Sequence, residues 1–254
     1  MSAMDMFWQA PPISRTLAAA TFTLSLLVYT GLVPSYHVIF YLPYVFRIPP
    51  EVWRIFTSFL ITGPQIGIIF DTYFLYTYGS KLERASPRLS QPGDFLTYLL
   101  FVCGVILGLN VLVTGGMVFT SALVLALAYT STQDDRGQQA QFFIVTIPAP
   151  WIPYTMLLIT LVTAGLNATM VQATGIVAAH LHDFLTRLWP MFGGGRNLLP
   201  TPAIFKRWFF VGQRNTGYGT ARAARGQTSS EGSSSGVLPE SWRNRGSGHR
   251  LGGD

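Results

Sequence analysis

Charged side chains are distributed unevenly along this chain, and their distribution constrains its fold more than any other feature. Only 11% of the 254 residues are charged, whereas soluble domains carry about a quarter. Charges are nearly absent from long stretches between Leu17 and Thr186, and ten of the 17 basic residues follow from Arg187 onward. Because 49% of the residues are hydrophobic, these stretches favour lipid as their solvent. The sequence therefore predicts a helical membrane domain and a basic, soluble tail.

Six apolar stretches are candidates for membrane spans, since crossing about 30 Å of hydrocarbon takes roughly 20 apolar residues in a helix. The first is too long for a signal peptide and lacks a small-x-small cleavage site, so we expect it to be retained. The fourth is short, which suits a buried central helix or a locally thin bilayer. The predicted fold class is an all-α polytopic membrane protein, a six-transmembrane-helix fold with spans near 17–33, 55–78, 95–113, 117–130, 151–166 and 169–187.

The basic residues predict the orientation of these spans. Six spans place both termini on one side of the membrane. If that side is the cytosol, the cytosolic segments hold 15 basic residues and the opposite side holds two, Arg47 and Arg54, as the positive-inside rule requires. Attraction to anionic lipid, about 1 kcal/mol per basic residue near the surface, explains the net charge of +6. We therefore expect contact with the lipid bilayer and no nucleic-acid partner.

The composition divides the chain into three regions. Residues 1–190 form the predicted membrane domain. Residues 191–213 form a linker with an aromatic-basic patch that suits a membrane surface. Residues 214–254 are rich in Gly, Ser and Arg and have almost no aliphatic side chains. They bury too little apolar area to offset their ordering entropy, so we expect a disordered cytosolic tail.

The second apolar stretch carries two polar side chains. Gln65 falls near its middle and Asp71 follows about two turns later. A charged side chain at the bilayer centre costs about 2.5–3.5 kcal/mol, so such groups face other helices, a water-filled cavity or a partner. Two interpretations stand: buried hydrogen bonds between helices, or a hydrated face along which a polar substrate chain slides. The sequence alone does not separate them.

Several short motifs, in their order along the first 190 residues, resemble the derlin family. The segment Pro11–Arg15 is similar to the Pro-Pro-x-Thr/Ser-Arg entry to the first derlin span. Trp53 and Arg54 resemble the Trp-Arg motif that derlins share with rhomboid proteases. Leu82 and Glu83 match a Leu-Glu pair at the end of the second span in both families. This resemblance implies a rhomboid-like six-helix fold.

The last span resembles the derlin pattern Gly-x-x-x-Gly-His-x-Tyr-x-Phe. Gly175 and His180 match it, while Ala179 replaces the second glycine and His182 replaces the tyrosine. Small residues at these sites are typical of close helix packing. Two histidines without a third ligand are more typical of hydrogen-bonding groups at a helix end, so we expect no metal and no other cofactor.

Rhomboid proteases use a serine in a Gly-x-Ser-Gly motif on the fourth span and a histidine base on the sixth. Ser121 can be superimposed on the nucleophile, but Phe119 and Ala122 replace the two glycines. The register of the last span puts Gln172 at the base position, and glutamine cannot accept a proton near neutral pH. His180 lies about two turns further toward the cytosolic end. The resemblance therefore implies a pseudoprotease that is not an enzyme.

The C-terminus carries a possible docking motif. Gly246, Gly248, Arg250, Leu251 and Gly252 are similar to the short motif with which many derlins bind the AAA unfoldase of the valosin-containing-protein class. Flexible glycines let a backbone lie in a groove, while an arginine and a leucine provide one ionic and one apolar anchor. The alternative interpretation is Gly/Arg-rich low complexity that touches RNA or lipid headgroups.

The resemblance implies a function in the endoplasmic-reticulum (ER) membrane. We expect a non-catalytic component of ER-associated degradation that receives misfolded client proteins beside an ER ubiquitin ligase complex and aids their retrotranslocation to the cytosol. The ATPase docked on the tail would supply the force that pulls the clients. Two alternatives are an active intramembrane serine protease of the rhomboid type and a membrane adaptor that only recruits the ATPase.

Overall fold

Long helices make up most of the chain that the structure describes. The computed structural model describes residues 8–87, 89, 93–135, 137–142, 145–192 and 199–205. The long helices are α1 (Pro12–Tyr29), α2 (Ile66–Ala85), α3 (Asp94–Leu109), α4 (Thr120–Asp134) and α5 (Ile152–Asp183). Shorter helical turns lie at Ser35–His37, Leu42–Val45, Arg54–Thr57, Asn110–Thr114, Ala149–Trp151, Phe184–Leu188 and Trp189–Phe192.

Two helical stretches among the described residues are long and apolar enough to cross a membrane. Asp94–Thr114 has a mean hydropathy of 2.4 and Ala149–Phe192 one of 1.5. The second stretch contains α5, which is interrupted at Gly165, where φ is +81° and ψ is −179°. Only glycine adopts this conformation readily. The interruption divides α5 into two halves near the boundary between the predicted spans 151–166 and 169–187.

The core is built around α4, and the expectation of a buried central helix is confirmed. Every residue from Ala122 to Ala128 is no more than 1% exposed. The α4 helix packs against α5 and α2, while α1 packs against α2 and α3 against α5. Because α4 has no face left over for solvent or lipid, its sequence needs no amphipathic pattern.

The predicted second span, 55–78, is wrong in its boundaries. A one-turn helix ends at Thr57, an irregular segment follows, and α2 begins only at Ile66. Pro64 has no backbone N–H and disfavours helical geometry in the residue before it, so a helix cannot run through this position undisturbed. Gln65, with φ of +55°, directly precedes α2. The correction moves Gln65 from the middle of a helix to its first boundary.

A β-hairpin follows α4, between the predicted fourth and fifth spans, where we predicted no strands. Strands β1 (Gln139–Phe142) and β2 (Val145–Pro148) pair antiparallel, with Gln139 opposite Pro148 and Phe142 opposite Val145. The hairpin leads into the start of α5.

Candidate functional site

Arg54 is buried in the connection between α1 and α2, where it is 1% exposed. Its Nε donates to the Glu51 carboxylate, and its Nη1 donates to the carbonyl oxygens of Tyr36 and Ile39, the latter at 2.9 Å. The guanidinium also lies 4.8 Å from the ring centroid of Tyr44. A rigid fork of donors suits this set of acceptors, which a lysine cannot satisfy together. Arg54 therefore fastens the loop to the segment that leads into α2.

Trp53 holds the same loop from its exposed side. Its indole Nε1 donates to the carbonyl oxygen of His37 at 3.1 Å, while 47% of the residue stays exposed. One turn later, the Thr57 hydroxyl donates to the carbonyl oxygen of Val38 at 2.8 Å. The Trp-Arg motif thus joins residues 35–39 to residues 51–57 through backbone acceptors.

Asp71 and Gln65 lie at the start of α2. The Asp71 carboxylate accepts the backbone N–H of Gly63 at 3.2 Å, so it holds the turn that precedes the helix. Gln65 is exposed. Neighbouring Thr62 is buried, and its carbonyl oxygen accepts the Tyr29 hydroxyl at 2.7 Å. Asp71 makes its hydrogen bond to the segment before its own helix, a third arrangement that neither sequence interpretation contained.

Gly175 brings α5 against the backbone of α4. A methyl group placed on Gly175 would lie 2.0 Å from the carbonyl oxygen of Ala122 and 3.2 Å from the backbone nitrogen of Ala126. One turn later Ala179 is 1% exposed. Small side chains at these two positions let the helices approach this closely.

Ser121 stands near the start of α4 and is half-buried. Phe119, at the position of the first motif glycine, is completely buried. Its ring centroid lies 5.5 Å from that of Phe40 and 5.3 Å from that of Phe59. Its N–H donates to the carbonyl oxygen of Ser58 at 2.9 Å. An aromatic cluster therefore fills the position where the protease motif has a glycine.

Gln172 and His180 lie eight residues apart on α5, so His180 does not occupy the position of Gln172. Gln172 is 4% exposed, and its amide oxygen has no hydrogen-bond partner among the described residues. His180 lies two turns later, near the C-terminal end of α5, where its Nδ1 is 3.3 Å from the Tyr129 hydroxyl. Tyr129 lies two turns, about 12 Å along the axis of α4, beyond Ser121, so the contact of His180 with Tyr129 places this histidine toward the opposite end of α4 from the serine.

Two polar side chains for which the sequence predicted no role hold helices together. The Glu83 carboxylate accepts the backbone N–H groups of Ile13 at 3.0 Å and Ser14 at 2.8 Å, together with the Ser14 hydroxyl at 2.6 Å. Asn110, completely buried after α3, donates to the Thr174 hydroxyl at 3.1 Å. The signals were present: a Leu-Glu pair ending α2, and one amide in an apolar stretch.

Some predicted residues lie outside the described part of the chain. These include the five tail residues Gly246, Gly248, Arg250, Leu251 and Gly252. Among the described residues, no three His, Cys, Asp or Glu side chains are placed to hold a metal ion. His182 instead contacts aromatic rings, with its centroid 4.8 Å from that of Tyr98.

Sequence comparisons match most of the chain. A profile of the Der1-like family matches residues 10–203. Derlin-1 of Homo sapiens is 32% identical over 212 residues, covering 80% of this chain and 81% of that protein. Derlin-1 of Mus musculus is 31% identical over the same shares. Derlin-1 of Arabidopsis thaliana is 28% identical over 216 residues, covering 82% of this chain and 79% of that protein.

Proposed function

This chain belongs to the Der1-like family, and on that premise we propose that it is a non-catalytic component that aids retrotranslocation of misfolded proteins. Its family has a role in ER-associated degradation, and the chain is a membrane protein of the ER. The observation that carries the proposal is the family match over residues 10–203. That range includes the Arg54-centred loop and the contact between α4 and α5.

In our proposal the domain crosses the membrane six times, with both termini in the cytosol. The helices α1 to α4 and the two halves of α5 supply the six spans. Fifteen basic residues then lie on the cytosolic side and two on the lumenal side, in agreement with the positive-inside rule. One contact between helix ends is consistent with this topology: Glu83 at the end of α2 binds the start of α1, as expected of antiparallel neighbours.

We propose that the chain is a pseudoprotease. Phe119 packs into an aromatic cluster beside Ser121, and the register of the last-span motif puts Gln172 at the position of the base. An unactivated serine is a poor nucleophile. The test is Ser121→Ala in a retrotranslocation assay, which should leave client release unchanged. Loss of release, with cleavage of a membrane substrate by the wild type alone, would favour the protease alternative.

A cavity beside α2 supports a role in moving clients. About 630 Å³ in volume, it lies between α2 and the start of α5. Aromatic residues mix with polar and charged ones in its lining, which includes Phe70, Tyr73, Thr77, Lys81, Asp135 and Ile152. Gln65 and Asp71 lie at the start of α2 and do not line this cavity; we propose that they border its lumenal entrance.

The adaptor alternative makes a different prediction for that entrance. An adaptor that only recruits the ATPase tolerates any change at Gln65 or Asp71 that leaves the fold intact. A conduit loses transport when these side chains change. The double variant Gln65→Leu, Asp71→Asn removes the amide of Gln65 and the charge of Asp71. The asparagine oxygen still accepts the Gly63 N–H. Slower client release at unchanged ATPase binding supports the conduit, and unchanged release supports the adaptor.

The motor and ligase partners are the remaining parts of the proposal. We propose that Gly246, Gly248, Arg250, Leu251 and Gly252 bind the AAA unfoldase, because a flexible tail with one ionic and one apolar anchor suits a peptide groove. The membrane domain would work beside an ER ubiquitin ligase complex. Co-purification of the unfoldase with detergent-solubilised wild type, and its loss in an Arg250→Ala, Leu251→Ala double variant, tests the tail directly.

A further inference from the structure

A second, more polar cavity lies where α3 begins and where α4 and α5 end. Its volume is about 480 Å³. In the proposed topology this end of the helices faces the cytosol. Charged and hydroxyl-bearing side chains dominate its lining, which includes Asp94, Thr97, Thr130, Asp134, His182 and Arg187. A polar cavity of this size holds several water molecules when it is open.

One segment of the chain lies against this cavity. We call Leu199–Phe205 the strap; Leu199 and Thr201 contribute to the cavity lining. The Thr201 hydroxyl donates to the Asp94 carboxylate at the start of α3. The hydrogen bond joins positions 107 residues apart in sequence, so it fixes the strap to the helical domain.

The strap continues onto Gly93, the residue before α3. A methyl group on Gly93 would lie 3.0 Å from the Cβ of Phe205 and 3.2 Å from its carbonyl carbon. Gly93 has φ of +89°, which other residues rarely adopt. Glycine at this position therefore permits both the turn into α3 and the close approach of Phe205.

The strap is held less firmly than the helices beneath it. Ile204 is 62% exposed, and Leu199, Thr201 and Phe205 are half-buried. Segments with few buried apolar contacts open locally at a small fraction of the global unfolding free energy. Eight residues, 206–213, separate the strap from the tail in sequence, so tension applied to the tail passes along the chain to the strap before it reaches α5.

We propose that the strap is a removable cover over this polar cavity, and that tension on the tail opens the cavity to the cytosol. The opening by tension rests on the proposed docking of the unfoldase on the tail. Opening exposes the Asp94 carboxylate and the neighbouring polar side chains to solvent at the proposed cytosolic face. A client chain that leaves the membrane then meets water and polar groups at this end of the domain.

Thiol labelling of the full chain in lipid nanodiscs tests the cover. The reporter is Thr97→Cys, a cavity residue, in a background in which the one native cysteine is changed by Cys103→Ser. Thr201→Val removes the hydroxyl that binds Asp94, whereas Thr201→Ser keeps it. We expect a water-soluble maleimide to label Thr97→Cys about tenfold faster with Thr201→Val, since one charge-assisted hydrogen bond is lost. Thr201→Ser should stay at the wild-type rate.

Two further reporters separate opening of the cover from unfolding. Thr146→Cys on the exposed hairpin should label at one rate in every variant, and Thr21→Cys, buried in α1, should stay protected. Equal labelling of Thr97→Cys with Thr201→Val and with Thr201→Ser would overturn the cover. Loss of protection at Thr21→Cys would identify unfolding, and the test then passes to Phe205→Ala, for which the same acceleration is expected.

A last experiment adds the purified AAA unfoldase and ATP to the Cys103→Ser, Thr97→Cys protein, in which the strap is unchanged. Faster labelling of Thr97→Cys, abolished by Arg250→Ala, Leu251→Ala, supports opening by tension. If the unfoldase binds but labelling does not change, the tension-driven opening is overturned while the cover stands. If the unfoldase does not bind, the docking in the proposed function fails, and the comparison of Thr201→Val with Thr201→Ser still decides the cover.

Discussion

Gly175 and Ala122 bring α5 and α4 into backbone contact. A methyl group on Gly175 would lie 2.0 Å from the Ala122 carbonyl oxygen, far inside the roughly 3.5–4.0 Å separation at which heavy atoms pack favourably. The neighbouring atom belongs to the backbone of a buried helix and cannot move aside as a flexible side chain would. The two helices must therefore separate to admit any larger residue.

Gly175→Ala should destabilise the protein although alanine favours helices. Overpacking typically costs about 1–3 kcal/mol, and the contact with backbone puts this variant at the upper end of that range. The matched control is Gly108→Ala in α3, because a methyl group at Gly108 meets nothing within 4 Å. Denaturant titration in detergent should show a lower free energy of unfolding for Gly175→Ala and no loss for Gly108→Ala. Equal stability of the two would contradict the close packing.

Arg54→Lys should loosen the loop while keeping its charge. Lysine cannot reproduce the fork that binds Glu51 and two carbonyl oxygens, so we expect a loss of about 2 kcal/mol or more. The loosened loop should be cleaved faster by trypsin after Arg47, which is exposed. Trp53→Phe, which loses only a half-exposed hydrogen bond, should change the rate little. Unchanged cutting in Arg54→Lys would show that Arg54 does not hold the loop.

Glu83→Ala should detach the start of α1 from the end of α2. Three hydrogen bonds to one carboxylate disappear, including two from backbone N–H groups at a helix N-terminus. Carboxylates there contribute typically about 1 kcal/mol or more as caps. Glu83→Gln keeps a side-chain acceptor, so its stability should lie between that of Glu83→Ala and that of the wild type. Hydrogen exchange at Ile13 and Ser14 measures the effect, and identical protection in all three proteins would contradict it.

Asp71→Ala and Asp71→Asn should differ in stability. Alanine leaves the half-buried Gly63 N–H without its acceptor, which costs about 1 kcal/mol, the lower end of the range for an unsatisfied donor, whereas asparagine retains a side-chain oxygen. Thermal unfolding in detergent should therefore rank the wild type and Asp71→Asn above Asp71→Ala. If the alanine variant is as stable as the asparagine variant, the hydrogen bond to Gly63 does not support the turn.

Hydrophobic length and the order of motifs were enough to predict most helices. The stretch 95–113 corresponds closely to Asp94–Thr114, and the short stretch 117–130 to the buried α4. The second stretch failed because periodicity and hydropathy do not register the effect of Pro64 on the backbone. The segment before α2 is apolar enough to resemble a span, but its hydrogen bonds go to a loop and to neighbouring helices.

Roles of individual residues were harder to predict than helices. The Trp-Arg pair was visible in the sequence, but apart from the Glu51 carboxylate its acceptors are backbone carbonyl oxygens of residues 36–39, which no sequence pattern marks. Asp71 was noticed for its charge, and only the fold shows that it binds Gly63. Glu83 and Asn110 bind partners 69 and 64 positions away, and such long-range pairs depend on the packing of the helices.

Client release from ER microsomes that lack their own derlins tests the central claim most directly. The microsomes are complemented with the wild type, with Ser121→Ala, or with Arg250→Ala, Leu251→Ala, each at matched abundance. A non-catalytic component with a docked motor predicts that the wild type and Ser121→Ala restore release of a misfolded client to the cytosol and that the tail variant does not. Failure of a folded Ser121→Ala, or full release by the tail variant, would contradict the account.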